Sequence, residues 1–162
     1  MKRADPASKK ESVWDYPRPP RLELTGRLLR VEFAGEIIAQ TRLAYRVLET
    51  SHPPTYYIPL ADIQRHFLSA SNHRTFCEFK GQAHYWTLIV GERRSENAGW
   101  YFPNPTASFI PIRDYVAFYP SRVDACYVDN QKVTPQDGDF YGGWITPDII
   151  GPFKGKAGTA GW

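Results

Sequence analysis

The five residues from Cys77 to Gly81 bring together a thiol, an ammonium and a glycine. His73 precedes Cys77 by four residues and His84 follows it by seven. A cation or an imidazole beside a thiol lowers its pKa and favours the thiolate, which is the nucleophile. The competing reading makes Cys77 a small buried side chain in a strand, since free cysteine is among the most buried residue types. The sequence leaves both open.

The same stretch contains Phe79-Lys80-Gly81-Gln82-Ala83, echoed as Phe153-Lys154-Gly155-Lys156-Ala157. In each copy glycine permits close backbone approach and lysine supplies a cation, a combination suited to a phosphate or a carboxylate. The plainer alternative is two lysine-bearing turns. Around them stand Tyr57, Tyr85, Trp86, Trp100, Tyr101, Tyr115 and Tyr119. On alternating strands about half of such a set faces the core, and the rest is free to line a pocket or a partner surface. The expected site therefore has Cys77 as its candidate catalytic residue. Its candidate ligand-binding residues are Lys80, Gly81, Tyr85, Tyr57 and Trp100. For a metal, His73, Cys77, His84 and Cys126 lack the paired spacing of a zinc site, so neither a metal nor a cofactor is expected.

The elements that must position these groups read as strands. Aromatics make up 15% of the 162 residues, with 14 prolines and a single methionine. That composition points away from a helical bundle and toward short strands joined by turns. Leu29, Val31 and Phe33 alternate with Arg30 and Glu32, and Ala34-Gly35 marks a turn into Glu36–Ala39, which reads as a hairpin over 28–39. Leu43, Tyr45 and Val47 share one face of a further strand, and Tyr56–Ile58 form a short one. One helix is expected over 59–69, started by Pro59 and carrying Leu60, Ile63 and Phe67 on one stripe. Ser69–Asn72 and Gly91–Asn97 read as turns, Ala83–Val90 as a strand, and Asp129–Lys132 as a hairpin loop.

The fold class is mainly β: a single compact domain of short, strongly coiled antiparallel sheets with one short helix near 59–69. Residues 1–21 form a mobile leader and a Trp- and Pro-rich strap, anchored by Trp14 and Tyr16. Residues 22–134 form the core, and 135–162 an irregular extension that wraps it. That extension holds too many large apolar residues for a disordered tail.

Charge and signals bound the partners. The chain carries 20 basic and 17 acidic residues. Six of the basic and three of the acidic lie in residues 1–21, leaving 14 of each sign in the remainder. Bulk charge thus gives no basic face for nucleic acid, and none is expected as a partner. No run approaches the length of a membrane-spanning helix, and no secretory signal opens the chain, so a cytoplasmic protein with free thiols is expected.

The order of segments resembles the domain-of-unknown-function family numbered 427, sometimes catalogued as nucleotidyltransferase-like. The resemblance rests on Arg30–Ala39, Arg46–Thr50, Tyr56–Pro59 with Asp62, Thr75–Cys77 with Lys80–Ala83 and Tyr85, Trp100-Tyr101, and Tyr115–Tyr119. It covers about residues 28–128. It implies a small β-rich fold and supplies no reaction and no catalytic residues. The label itself finds no support: Asp137-Gly138-Asp139 has no upstream Gly-Ser turn at the spacing that metal-dependent nucleotide transfer needs, and reads as a polar turn.

Two function classes follow. One is a small-molecule-binding domain or small enzyme, for an anionic ligand, with its pocket near Cys77 and Lys80. The other is a non-catalytic interaction module holding a partner or a second copy of itself as a homodimer.

Overall fold

The computed structural model describes residues 10–138 and 140–162. The leader before Lys10 and the second carboxylate of Asp137-Gly138-Asp139 lie outside the described residues. The strands are, in chain order, β1 (Glu11–Ser12), β2 (Arg21–Thr25), β3 (Leu29–Phe33), β4 (Glu36–Thr41), β5 (Ala44–Leu48), β6 (Thr55–Tyr57), β7 (Leu68–Cys77) and β8 (Gly81–Val90). They continue with β9 (Arg93–Tyr101), β10 (Ala117–Phe118), β11 (Ala125–Val128), β12 (Gln131–Lys132), β13 (Thr134–Pro135), β14 (Trp144–Ile145) and β15 (Ile149–Ile150). The strands form two four-stranded sheets, ordered β10-β9-β8-β7 and β12-β11-β3-β4, a three-stranded sheet, β2-β5-β6, and two short ladders, β1-β15 and β13-β14. The chain is mainly β, as its composition implies.

Alternation dictates the β3–β4 hairpin. Leu29, Val31 and Phe33 are buried, while Arg30 and Glu32 are half-buried on the other face. Ala34 and Gly35 both take positive φ, 53° and 77°, the left-handed pair that matches the twist of a two-residue hairpin. Asp129 and Asn130 make the equivalent turn between β11 and β12, so Gln131 and Lys132 belong to a strand rather than a loop. The principal core gathers Leu29, Val31, Ile38, Ile58, Leu88 and Phe118 with Trp144 of the C-terminal segment. Trp144 is fully buried and donates its Nε1–H to the Phe118 carbonyl at 3.0 Å.

The helical segment expected over 59–69 resolves into two 3-10 turns, Leu60–Asp62 and Arg65–Phe67. Between them Ile63 bridges Ala39, and the Gln64 amide donates to the Ile38 carbonyl at 2.8 Å. The edge of β4 thus takes the backbone groups that a continuous α-helix would have to pair internally. Two expected turns are strands. Ser69–Asn72 lies in β7, where the register slips between Ala70 and Arg74, and from Arg93 onward the charged run is β9. The polar half of β9 has no buried face to impose alternation, and pairing with β8 decides it. Leu43 precedes β5 and is exposed, while Val47 of the same face is buried and Tyr45 packs against the core.

Residues 10–20 and the C-terminal segment meet. β1 pairs parallel with β15, Val13 and Tyr16 are buried, and Trp14 donates Nε1–H to the Pro152 carbonyl at 2.9 Å. Trp14 itself is 42% exposed and rests edge-on against Trp162.

Candidate functional site

The β7–β8 hairpin sets the site. Register pairs Thr75 with Ala83 and Cys77 with Gly81, and Tyr85 pairs with Trp100 of β9. Cross-strand partners and residues two apart share a face. Thr75, Cys77, Ala83, Tyr85 and Trp100 therefore lie on one side of the sheet, and Gln82, His84 and Tyr101 on the other. The first side forms a wall of a cavity of about 340 Å³. Tyr57 of β6, the 49–55 loop and the C-terminal segment close the remainder.

Cys77, Lys80, Tyr57, Tyr85 and Trp100, singled out separately in the sequence, all line this one cavity. Gly81 is not on its wall. It is buried at φ +111°, where a Cβ would stand 3.3 Å from the Asn104 carbonyl oxygen. Its contribution is to let the Lys80 turn dock on the 104–106 loop, where the Thr106 amide donates to the Lys80 carbonyl at 3.0 Å.

The aromatic wall is tied by hydrogen bonds. Trp100 Nε1–H donates to the Tyr57 hydroxyl at 3.2 Å, and the hydroxyls of Thr75 and Tyr85 are 2.9 Å apart. Burial drives the Tyr57 and Tyr119 hydroxyls far above the usual phenol range, so both are neutral donors at any ordinary pH. Gly142 backs this wall so closely that a Cβ would fall 2.3 Å from the Trp100 ring.

Sequence reasoning missed His52 and Gln136. Gln136 is buried; its Oε1 accepts from the Gly143 amide at 3.1 Å and its Nε2 donates to the Lys154 carbonyl at 2.7 Å. Those two backbone partners fix which end of the amide is which. Nε2 therefore also donates to Nδ1 of His52, 3.2 Å away, and the His52 proton sits on Nε2. Burial is the first cause that lowers the His52 pKa to about 4, followed by the positive charges of Lys154, Arg18 and Lys80. His52 is thus a neutral imidazole in a positive field. Nothing in Ser51-His52-Pro53-Pro54 or Thr134-Pro135-Gln136 advertises this. The signal that was available is the repeated Phe-Lys-Gly-x-Ala, whose two lysines line the same cavity.

Lys80 lies 5.7 Å from the Phe109 ring centroid and Lys154 lies 5.8 Å from that of Tyr141. Among the described residues neither ammonium has a carboxylate within 4.0 Å, whereas Glu49 on the same lining pairs with Arg18 at 3.5 Å. Glu78 is exposed. The imidazoles near Cys77 in sequence are dispersed: His73 packs on Tyr85, and His84 is on the opposite face against Tyr101. Cys77 is half-buried and Cys126 fully buried in β11. Among the described residues no group of three His, Cys, Asp or Glu side chains is placed to hold a metal ion. A second cavity, of about 420 Å³, is lined by Lys10, Glu11 and Asp15 together with Glu23, Arg27, Arg46 and Asp148. Its guanidinium groups are engaged: Arg46 pairs with Glu11 and Glu23, and Arg27 with Asp129 and Asp148.

A family model described as a domain of unknown function, DUF427, matches residues 21–129. The chain belongs to that family. No curated protein matches it. Within the DUF427 match fall His52, Tyr57, Cys77, Lys80, Tyr85 and Trp100. Gln136, Tyr141, Gly142 and Lys154 lie beyond it. The cavity is therefore made jointly by the DUF427 region and the segment that follows.

Proposed function

We propose that this DUF427 protein binds a small molecule through an anionic group held between Lys80 and Lys154 at the rim of the aromatic cavity. The observation that carries this reading is the convergence of two lysines, from two distant copies of one motif, on a cavity whose nearby imidazole is neutral. Ammonium groups without carboxylate partners beside a half-enclosed apolar wall gain more from an anion than they would in open solvent. Neutral His52 adds an N–H donor without a charge of its own. Cys77 shares the wall, which places a thiol next to the ligand; a covalent role for it is an extension of this reading.

The test is a titration of the full chain with acetate and with inorganic phosphate, read from the His52 imidazole resonances. An anion between the lysines offsets the positive field, so the His52 pKa should rise on binding. The Lys80→Met/Lys154→Met double variant should abolish the response. Resonances indifferent to both anions, or an unchanged response in the double variant, would remove the proposal.

A second reading, an interaction module, draws on Phe76 and Phe140, which line the same cavity yet are 77% and 68% exposed. Large apolar groups left in water beside a cavity suit a macromolecular partner that covers them. Serine at both positions should then abolish that association while leaving anion binding intact.

A further inference from the structure

We infer that the occupant of this cavity is a flat aromatic or heteroaromatic molecule bearing one anionic group, a carboxylate or a phosphate, with its ring against the accessible rings of the lining, Phe76, Phe79, Phe140 and Tyr141, which stand in front of the buried Tyr57, Tyr85 and Trp100. The inference rests on the anion reading of Lys80 and Lys154 and narrows it to a ligand class.

The wall is made of rings. Val47, Pro53, Cys77, Ala83 and Gly142 are its small apolar members, and its larger apolar side chains are all Phe, Tyr or Trp. Ring faces are negative and ring edges positive, so such a wall favours another ring, stacked or edge-on, over an alkyl chain of equal area. Trp100 already meets Tyr57 edge-on, with centroids 6.1 Å apart, and Tyr119 at 4.6 Å. These contacts hold the wall in one arrangement before any ligand arrives.

Size points the same way. At about 340 Å³ the cavity is at the small end of ligand pockets, a volume that suits one or two fused rings.

The number of charges is also limited. Two lysines face the cavity, but Glu49 and Glu78 share the lining. Glu49 is engaged by Arg18, and exposed Glu78 stands free of any described ion pair. One anionic group is matched, and a polyanion would meet these carboxylates.

Calorimetric titration of the full chain at low salt, with four probes, decides the matter. The probes are 2-naphthoate, 2-naphthyl phosphate, neutral 2-naphthol and the alkyl acid octanoate. At least one of the two naphthyl anions should bind ten-fold or more tightly than both 2-naphthol and octanoate, and which one it is assigns the anion. Lys80→Met and Lys154→Met should each weaken that anion about ten-fold and leave 2-naphthol unchanged. Both lysines are partly exposed, so these variants should fold, and their melting curves check it. Octanoate binding as tightly as the naphthyl anions, with the same lysine dependence, would overturn the ring assignment and leave the anion site standing. If none of the three anions shows lysine-dependent binding, both readings fall. If 2-naphthol matches the naphthyl anions, the charge requirement falls.

Discussion

The side-chain amide of Gln136 donates to Nδ1 of His52 across 3.2 Å. It links a residue beyond the DUF427 match to one within it. The same amide holds the Gly143 N–H and the Lys154 carbonyl, so one buried side chain sets an imidazole tautomer and anchors the backbone of a cavity lysine. A Cβ at Gly143 would lie 2.5 Å from the Gln136 oxygen, which leaves no room for a larger residue between them.

Gln136→Ala should destabilise the protein by about 2–4 kcal/mol, because it strands a buried N–H and a buried carbonyl together. Denaturant unfolding at pH 7 measures this. A cost below about 0.5 kcal/mol would mean that water replaces the amide and that the His52 tautomer is not imposed by it.

The His52 pKa of about 4 makes stability depend on pH in a defined window. Its value in the unfolded chain is near 6.5, so between pH 4 and 6.5 the unfolded state binds more protons than the folded one. The His52 contribution is therefore complete above pH 6.5 and is lost as pH falls toward 4. The slope of unfolding free energy against pH over this range should be flatter in His52→Gln. In Lys154→Met the His52 pKa, followed by NMR, should move upward, since a repelling cation is gone. An unshifted value there would show that the Lys154 charge does not contribute to it.

The two thiols should separate by reactivity. Cys77 is half-buried at the cavity and Cys126 is 1% exposed in the core, where burial pushes its thiol well above the ordinary cysteine range. One thiol should react with an aromatic disulfide reagent in the native protein, and the second only on unfolding. Cys77→Ser should remove the native phase. Two equally slow thiols would remove Cys77 from the accessible wall.

Gly142→Ala should cost about 1–3 kcal/mol through overlap with the Trp100 ring, and should alter the near-ultraviolet circular dichroism of the aromatic wall. A melting temperature equal to that of the parent would show that the C-terminal segment shifts freely away from Trp100.

Trp144→Ala should cost about 3–5 kcal/mol, a core-sized loss from a residue beyond the family match. If the loss is below about 1 kcal/mol, the C-terminal segment is an appendage to a core that stands without it.

What the sequence determined by itself is mostly local. Alternation at Leu29, Val31 and Phe33 specifies which face of β3 is buried, because strand side chains point to opposite sides at every step. Ala34-Gly35 and Asp129-Asn130 mark hairpins through the same local chemistry. Around Cys77, Lys80, Tyr85 and Trp100, residue type was enough to nominate a set that one cavity unites. Tertiary structure decided what depended on distant partners. Leu60, Ile63 and Phe67 have helical spacing, yet the edge of β4 captures Ile63 and Gln64 and leaves two 3-10 turns. Gly91–Asn97 looks like a charged turn, yet from Arg93 onward β8 supplies the backbone partners that make it a strand. His52 and Gln136 carry no local signature, since a buried amide becomes a clamp only when Gly143, Lys154 and His52 are folded around it. The echo of Phe-Lys-Gly-x-Ala was visible along the chain. That Lys80 and Lys154 line one cavity follows from packing the C-terminal segment against the 49–55 loop and Trp100, contacts that no spacing in the sequence encodes.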